Sequence, residues 1–145
     1  MIKNLKLERE VFVKEDREEV WKVLTTPEYT KRFMFNSEVE TDWKKGSEIK
    51  WRGNFLGHRV YSRGIVLECI PNEYVKYSSF DPALGFEDVP ENYIYISFIL
   101  TPKDGGTEVK FVIENPSDNK ELYDESVKGL DKVMVPGFKK IFKIR

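Results

Sequence analysis

The chain has 145 residues, of which 40% are hydrophobic, 14% aromatic and 34% charged, with 24 basic against 25 acidic side chains and a formal net charge of −1. A chain of this length buries ~68–70% of its unfolded surface and needs neither disulfide nor metal to fold, so one domain over residues 1–145 is expected. With the charge balanced, no basic excess argues for nucleic acid or anionic membrane, and no run approaches the ~20 apolar residues of a membrane span.

The start, MIKNLKLERE, carries no apolar signal region,. The lone Cys69 cannot make an internal disulfide, which fits a reducing, cytoplasmic setting,. Residues 5–13 alternate as a strand, with Leu5, Leu7, Val11 and Val13 on one side and Lys6, Glu8 and Glu10 on the other,. Arg9 shares the apolar side, so it lines an inner polar spot or sits at a bulge. Phe12 also breaks the pattern.

Asp16 with Glu19 forms a capping box for a first helix, which stops at Thr26-Pro27,. Pro27 opens a second short helix ending near Met34,. Strands follow at 37–42, 48–55, 59–70, 74–80, 93–101 and 107–114, with turns at Leu56-Gly57-His58, Pro71-Asn72-Glu73 and Lys103-Asp104-Gly105-Gly106,. Gly64 predicts a bulge or bend in the long strand. The loop 81–92 is long enough to suggest a function.

The last stretch, Asp118 to Arg145, reads as the main helix. Leu122, Tyr123, Ser126, Val127, Leu130, Val133 and Met134 share one broad face, and Asp118 with Glu121 forms a start signal,. Pro136 and Gly137 predict a kink, or else an ordinary helix end. An antiparallel sheet curls as it twists, and only this helix has a face wide enough to cover it. The fold class is therefore α+β, with the curved sheet wrapped on a long C-terminal helix and two short helices after the first strand.

Local motifs carry a resemblance. Glu19-Val20-Trp21 through Thr25-Thr26-Pro27-Glu28, Gly64-Ile65-Val66-Leu67-Glu68 with Pro71-Asn72-Glu73-Tyr74-Val75, and Gly105-Gly106-Thr107-Glu108-Val109 occur in order. With Gly129-Leu130, Gly137-Phe138 and Ile141-Phe142 they resemble the helix-grip START-like superfamily (SRPBCC), which includes birch-pollen-allergen-like proteins. Within it they resemble the branch named for the C-terminal domain of the heat-shock chaperone ATPase activator. The chain departs from that pattern at Leu130, where the branch often has Trp, at Ser79, where an aromatic is common, and at Gly46, where a double glycine is usual. The first two losses imply more room inside unless neighbours fill it.

Chemistry-bearing residues are sparse. One histidine, His58, lies in a turn, and one cysteine, Cys69, lies in an apolar strand, so no metal-ligand spacing, cofactor motif or catalytic constellation emerges. Glu68 faces inward if Val66 and Ile70 do, with Arg9 as a partner or ligand anchor; otherwise Ile65 and Leu67 are the inner residues. Phe33, Trp51, Phe55, Tyr77, Phe98, Leu130, Met134 and Phe138 converge either on an apolar ligand cavity or on a filled core. A non-catalytic module for a hydrophobic or aromatic small molecule is the first functional expectation. The resemblance implies two others: a chaperone ATPase regulator, and a cyclase- or hydrolase-type enzyme using Glu68.

Overall fold

Each alternating segment finds a strand partner. A computed structural model describes residues 5–117 and 119–144. Its strands are β1 (Leu5–Val13), β2 (Ser37–Glu40), β3 (Glu48–Phe55), β4 (His58–Ile70), β5 (Tyr74–Ser79), β6 (Ile94–Lys103) and β7 (Gly106–Asn115). They form a seven-stranded sheet in the order β1-β7-β6-β5-β4-β3-β2, antiparallel at every junction. The chain makes a meander from β2 to β7, and the N-terminal strand pairs beside its end.

The helices begin where the sequence supplies caps. In α1 (Arg17–Thr25) the Asp16 carboxylate accepts from Glu19 N–H, satisfying an orphan donor of the first turn. The second helix is shorter than expected: α2 is Pro27–Thr30. Turn hydrogen bonds carry the chain to Met34, and Phe35 and Asn36, with φ of 56° and 53°, reverse it into β2.

The C-terminal segment stays helical through Pro136. It comprises α3 (Lys120–Gly129), one π turn (Leu130–Met134) and α4 (Val135–Ile141). Asn119 accepts from Leu122 N–H as the N-cap, and the expected Asp118 signal lies outside the described residues. Pro136 has no N–H and its ring presses on the carbonyl four residues back, Lys132. The preceding turn widens, with Val135 N–H donating to Leu130 O, so a π turn stands where a kink was expected. Gly137 packs tightly: a Cβ there would lie 2.8 Å from Arg32 O.

This helix lies on the concave face of the sheet in the helix-grip arrangement. It contacts β6 and β7, and Leu122, Leu130, Met134 and Phe138 are buried beneath it. Ring contacts run from Phe33 to Phe138 (5.8 Å), from Phe138 to Phe111 (5.1 Å) and from Phe111 to Phe98 (5.4 Å).

Two features of β4 differ from a plain alternating strand. Gly64 is a close approach of β4 to β5, where a Cβ would sit 1.8 Å from Ser78 O. The bulge comes later, between Val66 and Glu68. Val66 is fully buried and Ile65 is 39% exposed.

Candidate functional site

The space under the helix is graded along the sheet. Register places Val75, Phe98 and Phe111 in one cross-strand row, Tyr77, Ile96 and Ile113 in the next, and Ser79 and Ile94 beyond. The first row is filled by Phe138 against Phe111. In the second row Ile96 and Ile113 stand where the first has phenylalanines, while Tyr77 stands where it has Val75, and the sheet wall falls to Ser79 and Ile94 beyond. The helix adds Ser126 and Gly129 to the same lining, and a cavity of about 420 Å³ opens there. Functional small-molecule cavities run ~300–1,000 Å³.

Ile96, Ile113, Leu122 and Met134 give the cavity its apolar wall, and Ser126, Gly129 and Val133 continue it along the helix. Phe35 and Leu84 stand toward the solvent side, with Asp81, Arg59 and Lys132. The Phe35 ring lies over Gly129, whose added Cβ would meet Phe35 Cζ at 2.8 Å. Phe55 supports that ring from behind, edge to face at 5.4 Å.

The loop 81–92 borders this opening and is ordered by two short 3-10 turns, Pro82–Leu84 and Pro90–Asn92. Asp81 caps the first by accepting from Ala83 N–H at 2.9 Å. Burial pushes the Asp81 carboxyl up, against the opposing pull of that N–H. Tyr93 Oη donates to Asp88 at 2.7 Å, and Arg63 pairs with the other Asp88 oxygen. The tyrosine hydroxyl, then the Arg63 guanidinium, hold Asp88 below the usual carboxylate range against a smaller opposing effect of burial. Phe80 stacks on Tyr93 at 5.2 Å, and Arg63 lies 5.6 Å over the Phe80 ring.

The predicted site residues divide. Trp51, Tyr77 and Met134 line the cavity. Phe33, Phe98, Leu130 and Phe138 pack in the filled half, each 0–1% exposed. Phe55 stands behind the rim.

Two polar assignments are corrected. Glu68 points to solvent and pairs with Lys45 at 3.1 Å, because the bulge after Val66 adds a residue and reverses the side on which Glu68 emerges. Arg9 keeps its inward parity beside Phe111, but β1 is an edge strand. Its guanidinium reaches the helix margin, bonding Asp131 at 2.9 and 3.1 Å with about 43% of the side chain exposed.

Ile94, Ile96, Ile113 and Leu122 were missed as lining residues. Cross-strand pairing with Tyr77 is the signal that finds Ile96, and Ile96 then leads to Ile113. His58 is exposed, and burial pushes the Cys69 thiol up, away from thiolate chemistry. Among the described residues no group of three metal-ligating side chains occurs, and no helix is long and apolar enough to cross a membrane.

Comparison with known proteins decides the family. Residues 14–143 match the model described as activator of Hsp90 ATPase homolog 1-like protein. The chain belongs to that family. Its fold is shared by ChR145 from Cytophaga hutchinsonii, 31% identical, with a TM-score of 0.77 over 99% of this chain and 96% of that one. SA2116 from Staphylococcus aureus is 19% identical, with a TM-score of 0.73 over 98% and 95% of the two chains. PFC0360w, an HSP90 activator from Plasmodium falciparum, is 16% identical, with a TM-score of 0.71 over 98% and 97%. No curated protein matches the chain. The sequence resemblance and the helix-grip fold of this activator-like protein thus agree with the family and the structural neighbours.

Proposed function

We propose that residues 1–145 form one cytoplasmic, non-catalytic domain that binds a hydrophobic or aromatic small molecule between the sheet and the C-terminal helix. The observation that carries this reading is the largely apolar cavity of about 420 Å³ between the sheet and the C-terminal helix, lined by Tyr77, Ile96, Ile113, Leu122 and Met134. Trp51, Tyr77 and Met134 would touch the ligand. Phe33, Phe98, Leu130 and Phe138 would form the rigid packed end, and Phe55 would hold Phe35 at the rim. A thermal-shift panel of hydrophobic compounds tests it. A ligand at a hundredfold excess over its Kd adds about 2.7 kcal/mol of stability and raises the melting temperature. No shift across a broad panel would overturn the reading.

Family membership favours a second reading, regulation of a heat-shock chaperone ATPase through an outer surface. Capture of Hsp90 by the purified chain and a change in the chaperone's ATP hydrolysis would support it; loss of both would reject it. The enzyme reading loses its residue, because Glu68 lies outside the cavity. Asp81 is the carboxylate at the rim whose protonation burial favours, but its side chain is engaged in capping the loop turn.

A further inference from the structure

Two donors on the cavity wall lack acceptors. Trp51 is 2% exposed and Tyr77 0%, and both residues belong to the cavity lining. Among the described residues neither Trp51 Nε1 nor Tyr77 Oη has a hydrogen-bond partner. An indole N–H can only donate, and a phenol donates readily. Buried polar groups in folded proteins are nearly always paired, so two unpaired donors in one wall call for an explanation.

The two groups belong together. The rings lie 5.7 Å apart, tilted by 33°, and reach the same space from β3 and β5. Of the serine hydroxyls on the wall, Ser37 donates to Met34 O and Ser126 to Leu122 O. Ser62 and Ser79 are only partly buried, so water can serve them. The surroundings are otherwise apolar, with Ile96, Ile113 and Met134 on the wall. Burial pushes the Tyr77 phenol far above its ordinary value, so it keeps its proton and remains a donor.

We propose, resting on the cavity reading above, that the ligand is an aromatic carbonyl compound whose oxygen is received at its buried end by Trp51 Nε1–H and Tyr77 Oη–H. A carbonyl oxygen has two lone pairs and accepts both bonds. It carries no net charge. That suits a wall with two neutral donors, whereas a carboxylate there would be desolvated without a cation beside it. The cations of the lining, Arg59, Lys128 and Lys132, are all exposed, whereas the indole and phenol are buried.

The test compares 2-acetylnaphthalene with 2-ethylnaphthalene, which have similar shape and differ in the acceptor. Affinities are read by isothermal titration on the full chain. The ketone binds about tenfold tighter to the unmodified protein. Trp51→Phe and Tyr77→Phe keep an aromatic ring in place and remove a donor. Each shrinks the ketone's advantage over 2-ethylnaphthalene when both affinities are measured on the same variant, a ratio in which a change of wall shape shared by the two compounds cancels. The carbonyl stretch of the bound ketone, read by infrared difference spectroscopy, moves to lower frequency in the unmodified protein and returns toward its free value in the variants.

Equal affinity for the two compounds, or an unchanged advantage in both variants, would overturn this inference and leave the cavity reading standing. Binding of neither compound, with no response from a broader hydrophobic panel, would overturn the cavity reading itself.

Discussion

Phe138 is the side chain on which the filled half of the core turns. It touches Phe33, Phe111 and Phe142 at centroid distances of 5.8, 5.1 and 5.1 Å and is fully buried. Phe138→Ala should cost about 3–5 kcal/mol, read as a lower midpoint in urea denaturation. Arg9→Ala is the contrasting case. The Arg9–Asp131 pair has side-chain exposures of 43% and 41%, and exposed pairs contribute less than about 1 kcal/mol. The substitution should therefore leave stability nearly unchanged and ligand binding intact. Gly64→Ala brings a Cβ to 1.8 Å from the Ser78 carbonyl oxygen. Backbone must shift to admit it, and about 3 kcal/mol of stability is lost. Arg9 and Glu68 show where the sequence misleads. Alternation assigns a side but does not reveal whether that side is covered, which is the error at Arg9. Nor does it reveal an extra residue in the ladder, which is the error at Glu68.

The loop 81–92 and the terminal helix are the elements whose behaviour depends on local chemistry. Asp88 ties the loop to β4 through Arg63 and accepts from Tyr93. Its folded pKa lies below the ordinary value, so its contribution to stability is present above about pH 3.9. That contribution is lost as pH falls through the lowered folded value. The protection of the loop amides, relative to their intrinsic exchange rates at each pH, should fall over that acidic range in the unmodified protein, and Asp88→Asn should remove that acid dependence. Unchanged pH dependence in Asp88→Asn would place the anchor elsewhere. The length of this loop set it apart in the sequence; its first 3-10 turn is capped by Asp81, and Asp88 ties the loop to β4. In the terminal helix, periodicity located the buried face from Leu122 to Met134. It did not reveal the π turn, which follows from Pro136 being held in a continuing helix by the burial of Phe138 two residues later.

At the scale of the molecule, the order of strands and helices was legible because periodicity and turn chemistry are local. The cavity was only half legible. The aromatic set found the packed end, but empty volume depends on which side chains face one another across β5, β6, β7 and the helix. Ser79 is the instructive position. Its departure from the aromatic common in related chains pointed to extra room, and Ser79 does line the cavity. Leu130, the other departure, is fully packed. Ser79→Phe should refill part of the space, weaken hydrophobic ligands by at least about tenfold and leave the fold unchanged by circular dichroism. Strain from overpacking would show as a lower melting temperature.

The most direct measurement is an NMR titration of the isotope-labelled chain with 2-acetylnaphthalene. Saturable shifts should centre on Trp51, Tyr77, Ile96, Ile113, Leu122 and Met134, with the packed end around Phe98 and Phe138 little changed. Shifts confined to the outer face of the sheet, or none at concentrations where other hydrophobic compounds also fail to bind, would contradict a ligand site beneath the helix.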